Sequence, residues 1–278
     1  FVERLCILVR VGEEADKAAD CYHAAEWRAF AVRRLNEQLE VQIYEDGFQF
    51  ELTTNYHNVV LSNFNGVNDL LSAYGIPMSA RMKEQIYKLF LLNIKLSLPD
   101  FTLPDLNDGS TQNWLGYGKA LEYFPDDPVF RWSATGRKEG HEPPFRSIAL
   151  PYAGMAVFRT GWGKEAIWAL FESAPFGKAH QHEDKLHFDL FAYGKRLLRD
   201  SGQYEYDTSD MRKYILSTKA HNTALVDGKD QNRRARYRWN EGDIAKKADL
   251  SWNFGDDVVV EKKKESISDI FEKYGEGE

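Results

Sequence analysis

Two histidines and an aspartate with the chemistry of a metal site lie in or near segment 179–202, AHQHEDKLHFDLFAYGKRLLRDSG. His182 and Asp200 stand on either side of an expected hairpin, and His221 comes directly before another expected strand. Two imidazoles and one carboxylate suit zinc and leave further coordination positions open. Asp200 and His221 could instead be hydrogen-bonded residues at strand ends, because the spacing differs from that of helix-borne zinc motifs.

Two more histidines lie in the same segment. His180 precedes His182 by two residues, so in an extended strand both side chains would point to the same side. One of them could then bind a metal while the other contacts a substrate. A loop histidine without a role is the alternative for His180. His187 opens an alternating segment, and we interpret it as a packed or hydrogen-bonded strand residue.

Tyr56 is a second candidate for chemistry. It follows the polar turn in DGFQFELTTNYHN, residues 46–58, and stands near the start of an expected helix. A phenol can act as a general acid or base when nearby cations lower its pKa. Packing or a hydrogen-bonded corner is the more common role of a tyrosine at such a position.

A basic and aromatic run, QNRRARYRW, occupies residues 231–239 and contains Arg233, Arg234, Arg236 and Tyr237. Arginine side chains bind carboxylate and sulfate groups bidentately, and aromatic rings stack on sugar faces. A solvated edge strand or loop is the commoner interpretation of such a charge run. Its position shortly after His221 favours substrate binding.

Helices are predicted throughout the first half of the chain. Their ranges, taken from apolar residues at helical spacing and from flanking Gly, Pro and turn residues, are 24–42, 56–73, 79–96, 113–124 and 126–135. Ser79 is the expected N-cap of the third helix. Segment 97–114 is rich in Pro, Asp and Asn and is expected to be a long loop, of the kind that often carries function.

Short β-type segments follow residue 142. The predicted strands are 155–160, 166–172, 186–193, 195–200, 222–228 and 257–263. The alternation in the third of these segments is typical of a half-buried antiparallel strand. The predicted fold is therefore α+β and multidomain, with a helical domain at 1–140 and an antiparallel sheet domain at 141–278.

Composition excludes several classes of function. The net charge of −7 over 278 residues argues against general nucleic-acid binding. The two cysteines provide no disulfide framework. No apolar run is long enough for a transmembrane helix, so no membrane span is expected. The chain begins at Phe1 with no visible signal peptide and ends without a closing element, so we expect a fragment truncated at both ends.

Three segments together resemble the heparinase II/III-like polysaccharide lyases, a family that includes heparinase III and the oligoalginate lyases. They are DGFQFELTTNYH (46–57), GKAHQHEDKLHFDLFAYGKRLLRDSG (177–202) and STKAHNTALVDG (217–228). The resemblance implies an incomplete (α/α) toroid followed by an antiparallel β-sandwich domain, with the active site in the cleft between them. It also implies a periplasmic or secreted protein that acts on an anionic polysaccharide, and it leaves the oligomeric state open.

The resemblance further implies a reaction and a role for each site residue. The reaction is β-elimination at a uronic acid, in which a proton leaves C5 and the bond to the 4-oxygen breaks. Tyr56 and His180 match the catalytic residues of the family. His182, Asp200 and His221 match the ligands of its structural zinc. The family also uses an Asn-His pair upstream of the tyrosine, and residues 1–23 contain no matching pair.

Several functions compete at this stage. Among lyases, the segment ELTTNYH favours a heparan-sulfate-like substrate, and an alginate or oligoalginate lyase is the alternative. A toroidal glycoside hydrolase would need two paired carboxylates, for which Asp100, Asp105 and Asp108 are candidates without an evident pairing. A non-catalytic carbohydrate-binding relative is the third possibility.

Overall fold

The computed structural model describes residues 24–114, 118–173, 179–231 and 258–260. Helices dominate up to residue 134, and their ranges are α1 Ala24–Gln42, α2 Thr54–Ala73, α3 Ala80–Leu96, α4 Lys119–Tyr123 and α5 Pro128–Ala134. The later part of the chain contains strands β1 Ser147–Leu150, β2 Met155–Arg159, β3 Trp168–Glu172, β4 His187–Ala192, β5 Lys195–Leu198 and β6 Val258–Val260. Helix α6, Asp210–Leu216, and a 3₁₀ turn, Thr218–Ala220, lie between β5 and β6.

The three long helices agree with the predictions. Helix α1 has the predicted bounds, and α2 begins two residues earlier than predicted, at Thr54. The hydroxyl of Ser79 accepts a hydrogen bond from the backbone N–H of Met82 at 3.1 Å, which confirms Ser79 as the N-cap of α3. Each helix turns one apolar stripe inward, and the buried stripe residues include Leu35, Leu39, Phe64, Leu71, Ile86, Leu89 and Phe90.

The two shorter helices differ more from the predictions. Helix α4 spans five residues, since Asn113 pairs with Thr102 in an isolated β-bridge where a helix was predicted. Helix α5 begins where the Asp127 carboxylate accepts hydrogen bonds from two backbone N–H groups, both at 2.9 Å. Pro128 follows at the first helical position, where its fixed φ fits and no N–H is missed.

The strands form one six-stranded sheet with the order β5-β4-β3-β2-β1-β6. The pairs β1–β2, β2–β3, β3–β4 and β4–β5 are antiparallel, and β6 runs parallel to β1. The predicted strands at 155–160, 166–172, 186–193 and 195–200 are confirmed as β2 to β5. Strand β1 was not predicted, and it forms a hairpin with β2.

The strand predicted at 222–228 is wrong. That segment contains only an isolated bridge between Val226 and Lys229, and the N–H of Lys229 donates to the carbonyl of Val226 at 3.0 Å. Asp227 and Gly228 between them have φ values of 53° and 65°. Such a left-handed pair closes a tight turn, which explains why the Asp-Gly dipeptide prevents a continuous strand.

One face of the sheet packs against the helices. Its central residues Trp168 and Leu170 are fully buried. The guanidinium of Arg159 on the same face donates to the backbone carbonyls of Lys95 and Ser97 at the end of α3. These contacts fix the sheet against the helical half. Among the helices of the described residues, none combines the length and the apolar character needed to cross a bilayer.

Residues 97–114, here called the connecting loop, lie between the helices and the loops of the sheet. The Thr54 hydroxyl at the start of α2 donates to the carbonyl of Pro104 at 2.7 Å. On the other side, the N–H of Gln203 donates to the carbonyl of Gly109 at 2.7 Å. The predicted long loop is therefore confirmed, and it contacts both halves of the molecule.

Candidate functional site

Helix α2 places Tyr56 in its first turn. Side chains on either side of Tyr56 anchor this turn to the connecting loop. The Gln112 amide donates to Asn55 Oδ1 at 2.6 Å and accepts from Asn58 Nδ2 at 2.7 Å. The phenol ring of Tyr56 stacks on the His180 imidazole, with ring centroids 3.6 Å apart and planes inclined by 16°. The structure therefore brings together two residues that are far apart in the sequence.

Tyr206 completes this aromatic group, and the sequence analysis missed it. Its hydroxyl lies 2.8 Å from the Tyr56 hydroxyl and 3.1 Å from His180 Nδ1. Burial of the hydroxyl, the hydrogen bond to Tyr56 and the charge of Asp108 raise the pKa of Tyr206 well above its ordinary value. Tyr206 is therefore a neutral phenol that can donate a hydrogen bond. Its position six residues after Asp200 was the only available signal.

His182, Asp200 and His221 converge as the sequence predicted. All three are buried, and one potential ligand atom from each lies within 4.8 Å of the others. His182 Nδ1 and His221 Nε2 are buried and have no hydrogen-bond partner among the described residues. Unpartnered buried nitrogens are costly, and a cation would satisfy both.

The hydrogen bonds around these residues leave one nitrogen of each imidazole free to bind a metal. Asp200 Oδ2 accepts from His221 Nδ1 at 2.8 Å, which leaves the Nε2 lone pair of His221 available. Asp200 Oδ1 accepts from the backbone N–H of Gly202 at 2.7 Å. Two imidazole nitrogens and a carboxylate fit a divalent transition metal, and zinc in particular prefers such ligands.

Asp108 of the connecting loop joins the aromatic group to the metal-binding residues. Its Oδ2 lies 3.2 Å from His180 Nδ1, and its Oδ1 lies 2.9 Å from His182 Nε2. The Arg212 guanidinium contacts both oxygens. Burial alone would raise the pKa of Asp108, but hydrogen bonds from these three side chains hold the pKa well below its usual range. Asp108 is therefore ionised.

The three carboxylates considered for a glycosidase contact three separate sets of partners. Asp100 caps the backbone N–H of Thr102 at 3.0 Å, and Asp105 binds Arg196 and Arg199. Asp108 binds histidines, as described above. This separation of partners argues against two of them acting as the acid and base of a glycosidase.

His187 fits the structural interpretation made from the sequence. It is fully buried, and its Nε2 lies 2.9 Å from Asp189 Oδ1 on the same strand. Its Nδ1 accepts a hydrogen bond from the backbone N–H of Asn222 at 3.3 Å. His187 thus supports the segment that carries His221 rather than contributing a further ligand.

The predicted substrate-binding residues Arg233, Arg234, Arg236 and Tyr237 lie outside the described residues. Within the described part of the chain, Arg199 directly precedes Asp200, and its side chain is 56% exposed. Its Nε donates to Asp105 Oδ2 at 2.7 Å.

Two family profiles match this chain. The heparinase II/III N-terminus matches residues 20–132, and the heparinase II/III-like C-terminal profile matches residues 142–269. Among curated proteins, a heparin-sulfate lyase of Bacteroides stercoris is 30% identical over 234 residues, covering 80% of this chain and 35% of that protein. A heparin-sulfate lyase of Pedobacter heparinus is 27% identical over 234 residues, covering 78% and 35%.

Solved structures agree with the sequence matches. A heparinase III gene product superposes with a TM-score of 0.74 at 26% identity, covering 83% of this chain and 37% of that chain. The heparan sulfate lyase HepC from Pedobacter heparinus gives a TM-score of 0.72 at 25% identity, covering 82% and 37%. The chain spans about a third of the length of the curated relatives that it matches. Because the two profiles together match most of its residues, this chain belongs to the heparinase II/III family.

Proposed function

We propose that the protein is a polysaccharide lyase that cleaves a uronic-acid-containing glycosaminoglycan, with a heparan-sulfate-like polymer as the favoured substrate. The observation that carries this proposal is the contact of Tyr56 with His180 and Tyr206, where the helices meet the loops of the sheet. Curated relatives named heparin-sulfate lyase support the substrate class.

The proposed reaction is β-elimination. A base takes the proton from C5 of the uronic acid, the bond from C4 to the glycosidic oxygen breaks, and a double bond forms between C4 and C5. The leaving oxygen takes up a proton. The C5 proton is only weakly acidic, because its removal gives an enolate-like dianion that needs donors facing the carboxylate.

Tyr56 is the proposed acid and base. Its hydroxyl already exchanges a hydrogen bond with Tyr206, so a proton gained or lost there has a neighbouring partner. His180 is stacked on the Tyr56 ring and lies close enough to contact the same sugar. We propose that His180 donates a hydrogen bond to the substrate carboxylate. This hydrogen bond becomes stronger as negative charge develops on the carboxylate.

A structural zinc is the proposed cofactor, held by His182, Asp200 and His221. When bound, it would supply positional rather than Lewis-acid chemistry, by holding three segments of the sheet domain together. The free lone pairs of the two imidazoles support this assignment. His182 follows His180 by two residues, so a metal that fixes His182 also restrains the backbone of His180.

The rest of the architecture is proposed from the family. The described helices would form part of an incomplete (α/α) toroid, the sheet would be one layer of a β-sandwich, and the boundary would fall near residue 140. The outer face of the sheet supports the second layer, since Phe158 and Leu198 are 38% and 40% exposed there. Arg233, Arg234, Arg236 and Tyr237 remain the proposed contacts to an anionic polymer, in a periplasmic or secreted protein.

The test uses the natural full-length protein. Absorbance of the unsaturated uronide product should rise with heparan sulfate, and less or not at all with hyaluronan, chondroitin and alginate. Tyr193→Phe is the matched control for Tyr56→Phe, because Tyr193 is 83% exposed at the turn between β4 and β5. No absorbance rise with any of the four polymers would refute the lyase assignment.

Binding and reducing-end measurements with the same four polymers, together with the absorbance assay, separate the remaining functions. A rise with alginate alone would assign the protein to the alginate side of the family. Affinity for a glycan without turnover would make it a binding protein. A new reducing end without unsaturation would indicate hydrolysis instead of elimination.

A further inference from the structure

We infer that Asp108 is a positioning residue that couples the metal-binding residue His182 to the proposed catalytic residue His180. The inference rests on the proposed function, and it assigns a role to a loop residue that lies outside all three motifs of the family resemblance. Asp108 is 1% exposed and comes from the connecting loop, whereas both histidines precede strand β4.

The contacts of Asp108 use its full capacity as an acceptor. An ionised carboxylate offers about four lone-pair sites. His182 Nε2 and one Arg212 nitrogen occupy Oδ1, while His180 Nδ1 and the other Arg212 nitrogen occupy Oδ2. An asparagine amide at this position has one oxygen and one NH₂ group. It could therefore accept from only one of the two histidines.

The first consequence concerns which ring nitrogens carry protons. With Asp108 accepting at Nε2, His182 carries its proton there and leaves the Nδ1 lone pair for a metal. Nδ1 is the buried nitrogen that has no hydrogen-bond partner among the described residues. In His180, Nδ1 lies 3.2 Å from Asp108 Oδ2 and 3.1 Å from the Tyr206 hydroxyl oxygen. An ionised carboxylate can only accept, so Nδ1 carries the proton and Nε2 is the ring nitrogen available to a substrate.

The connecting loop also fixes the backbone between the two histidines. The N–H of Asp108 donates to the carbonyl of His180 at 3.1 Å, and the Asn107 side chain accepts from the N–H of His182 at 2.8 Å. Asn107 and His180 both have left-handed φ values, 57° and 58°. Such conformations are costly outside glycine and persist where surrounding contacts enforce them, often at functional sites.

Asp105 provides a matched comparison in the same loop. It is also 1% exposed, and it is also bound by arginines, Arg196 and Arg199. The structure shows no contact between Asp105 and a histidine among the described residues. A carboxylate that only holds the loop in place would behave like Asp105, so the two residues separate a purely structural role from a coupling role.

The experiment compares Asp108→Asn with Asp105→Asn in the natural full-length protein. We expect Asp108→Asn to lower the affinity for Zn²⁺ by about 10- to 100-fold, the effect typical of losing an outer-shell partner of a metal-binding histidine. The visible spectrum of bound Co²⁺ should change as well. At saturating metal, kcat should fall more than KM changes. Asp105→Asn should lose stability yet keep the wild-type metal affinity, Co²⁺ spectrum and kcat.

Wild-type metal affinity in Asp108→Asn, or an equal loss in Asp105→Asn, would overturn the inference. If Asp108→Asn does not fold, Arg212→Lys is the second variant. It removes the bidentate hydrogen bonds of the guanidinium to Asp108 and keeps the positive charge. We expect a several-fold loss of metal affinity there, and an unchanged affinity would overturn the inference. A wild-type protein that neither binds metal nor cleaves any polymer would instead refute the proposed function.

Discussion

Acid should destabilise this protein through one buried histidine beside the proposed catalytic tyrosine. Consecutive helical residues differ in direction by about 100°, so α2 places Tyr56 at the site and His57 in the core. His57 Nε2 donates to the carbonyl of Leu89 at 2.9 Å, and its ring meets the edge of Phe48. Burial lowers the pKa of His57 to about 4 from an ordinary value of 6.5.

The sign and size of the effect follow from that pKa. Below pH 6.5 the unfolded chain binds a proton at His57 while the folded protein does not, so protonation favours unfolding. The stability that the neutral His57 imidazole contributes to the folded protein is fully present above pH 6.5 and is lost as the pH falls toward 4. Between pH 7.5 and pH 4.5 the loss is about 2.5 kcal/mol, from 1.36 kcal/mol per unit of pKa shift.

The assay is denaturant unfolding of wild type and His57→Gln at several pH values. Gln keeps a donor for the Leu89 carbonyl and cannot be protonated. We expect the variant to be less stable than wild type at pH 7.5, because its packing is imperfect, and to lose about 2.5 kcal/mol less on acidification. Parallel stability curves for the two proteins would refute the reasoning.

Three further predictions concern the site. Tyr56→Phe should lower turnover by about 10²- to 10⁴-fold while the melting temperature stays near wild type, as steady-state assays and calorimetry would show; near-normal turnover would contradict its role. His182→Ala should remove bound zinc and lower the melting temperature, and a wild-type protein without metal by elemental analysis would contradict the site. Gly202→Ala should cost about 1–3 kcal/mol in denaturant unfolding, because a Cβ there lies 2.7 Å from the Gly109 carbonyl oxygen at a φ of +65°; unchanged stability would show that the loops separate easily.

Local patterns explain which elements the sequence could predict. Helices α1 and α3 could be predicted from their apolar periodicity and, for α3, from the Ser79 cap. The reason is that a helix is specified by residues three and four apart. The short helix α6 was missed, because its seven residues carry too little periodicity to stand out. The strand predicted at 222–228 failed because the Asp-Gly turn outweighed the β-branched and apolar residues around it.

The site was predictable only in part for a different reason. Histidine and tyrosine are residue types that commonly take part in metal binding or acid–base chemistry. Tyr56, His180 and the three candidate ligands could therefore be named from the sequence. Asp108 and Tyr206 carry no comparable signal, and their partners are 72 and 150 residues away in the chain. Contacts over such separations depend on how the connecting loop folds between the two halves, which no local pattern encodes.

The contacts of the connecting loop should also limit how this chain can be recombined with a relative. A crossover near residue 140 would take Asp108 from one parent and His180 with His182 from the other. In the hybrid, the imidazoles of one parent would meet a connecting loop that comes from the other parent. From the inferred role of Asp108, such a chimera should keep its parents' metal affinity only when the loop and the histidine segment come from the same parent.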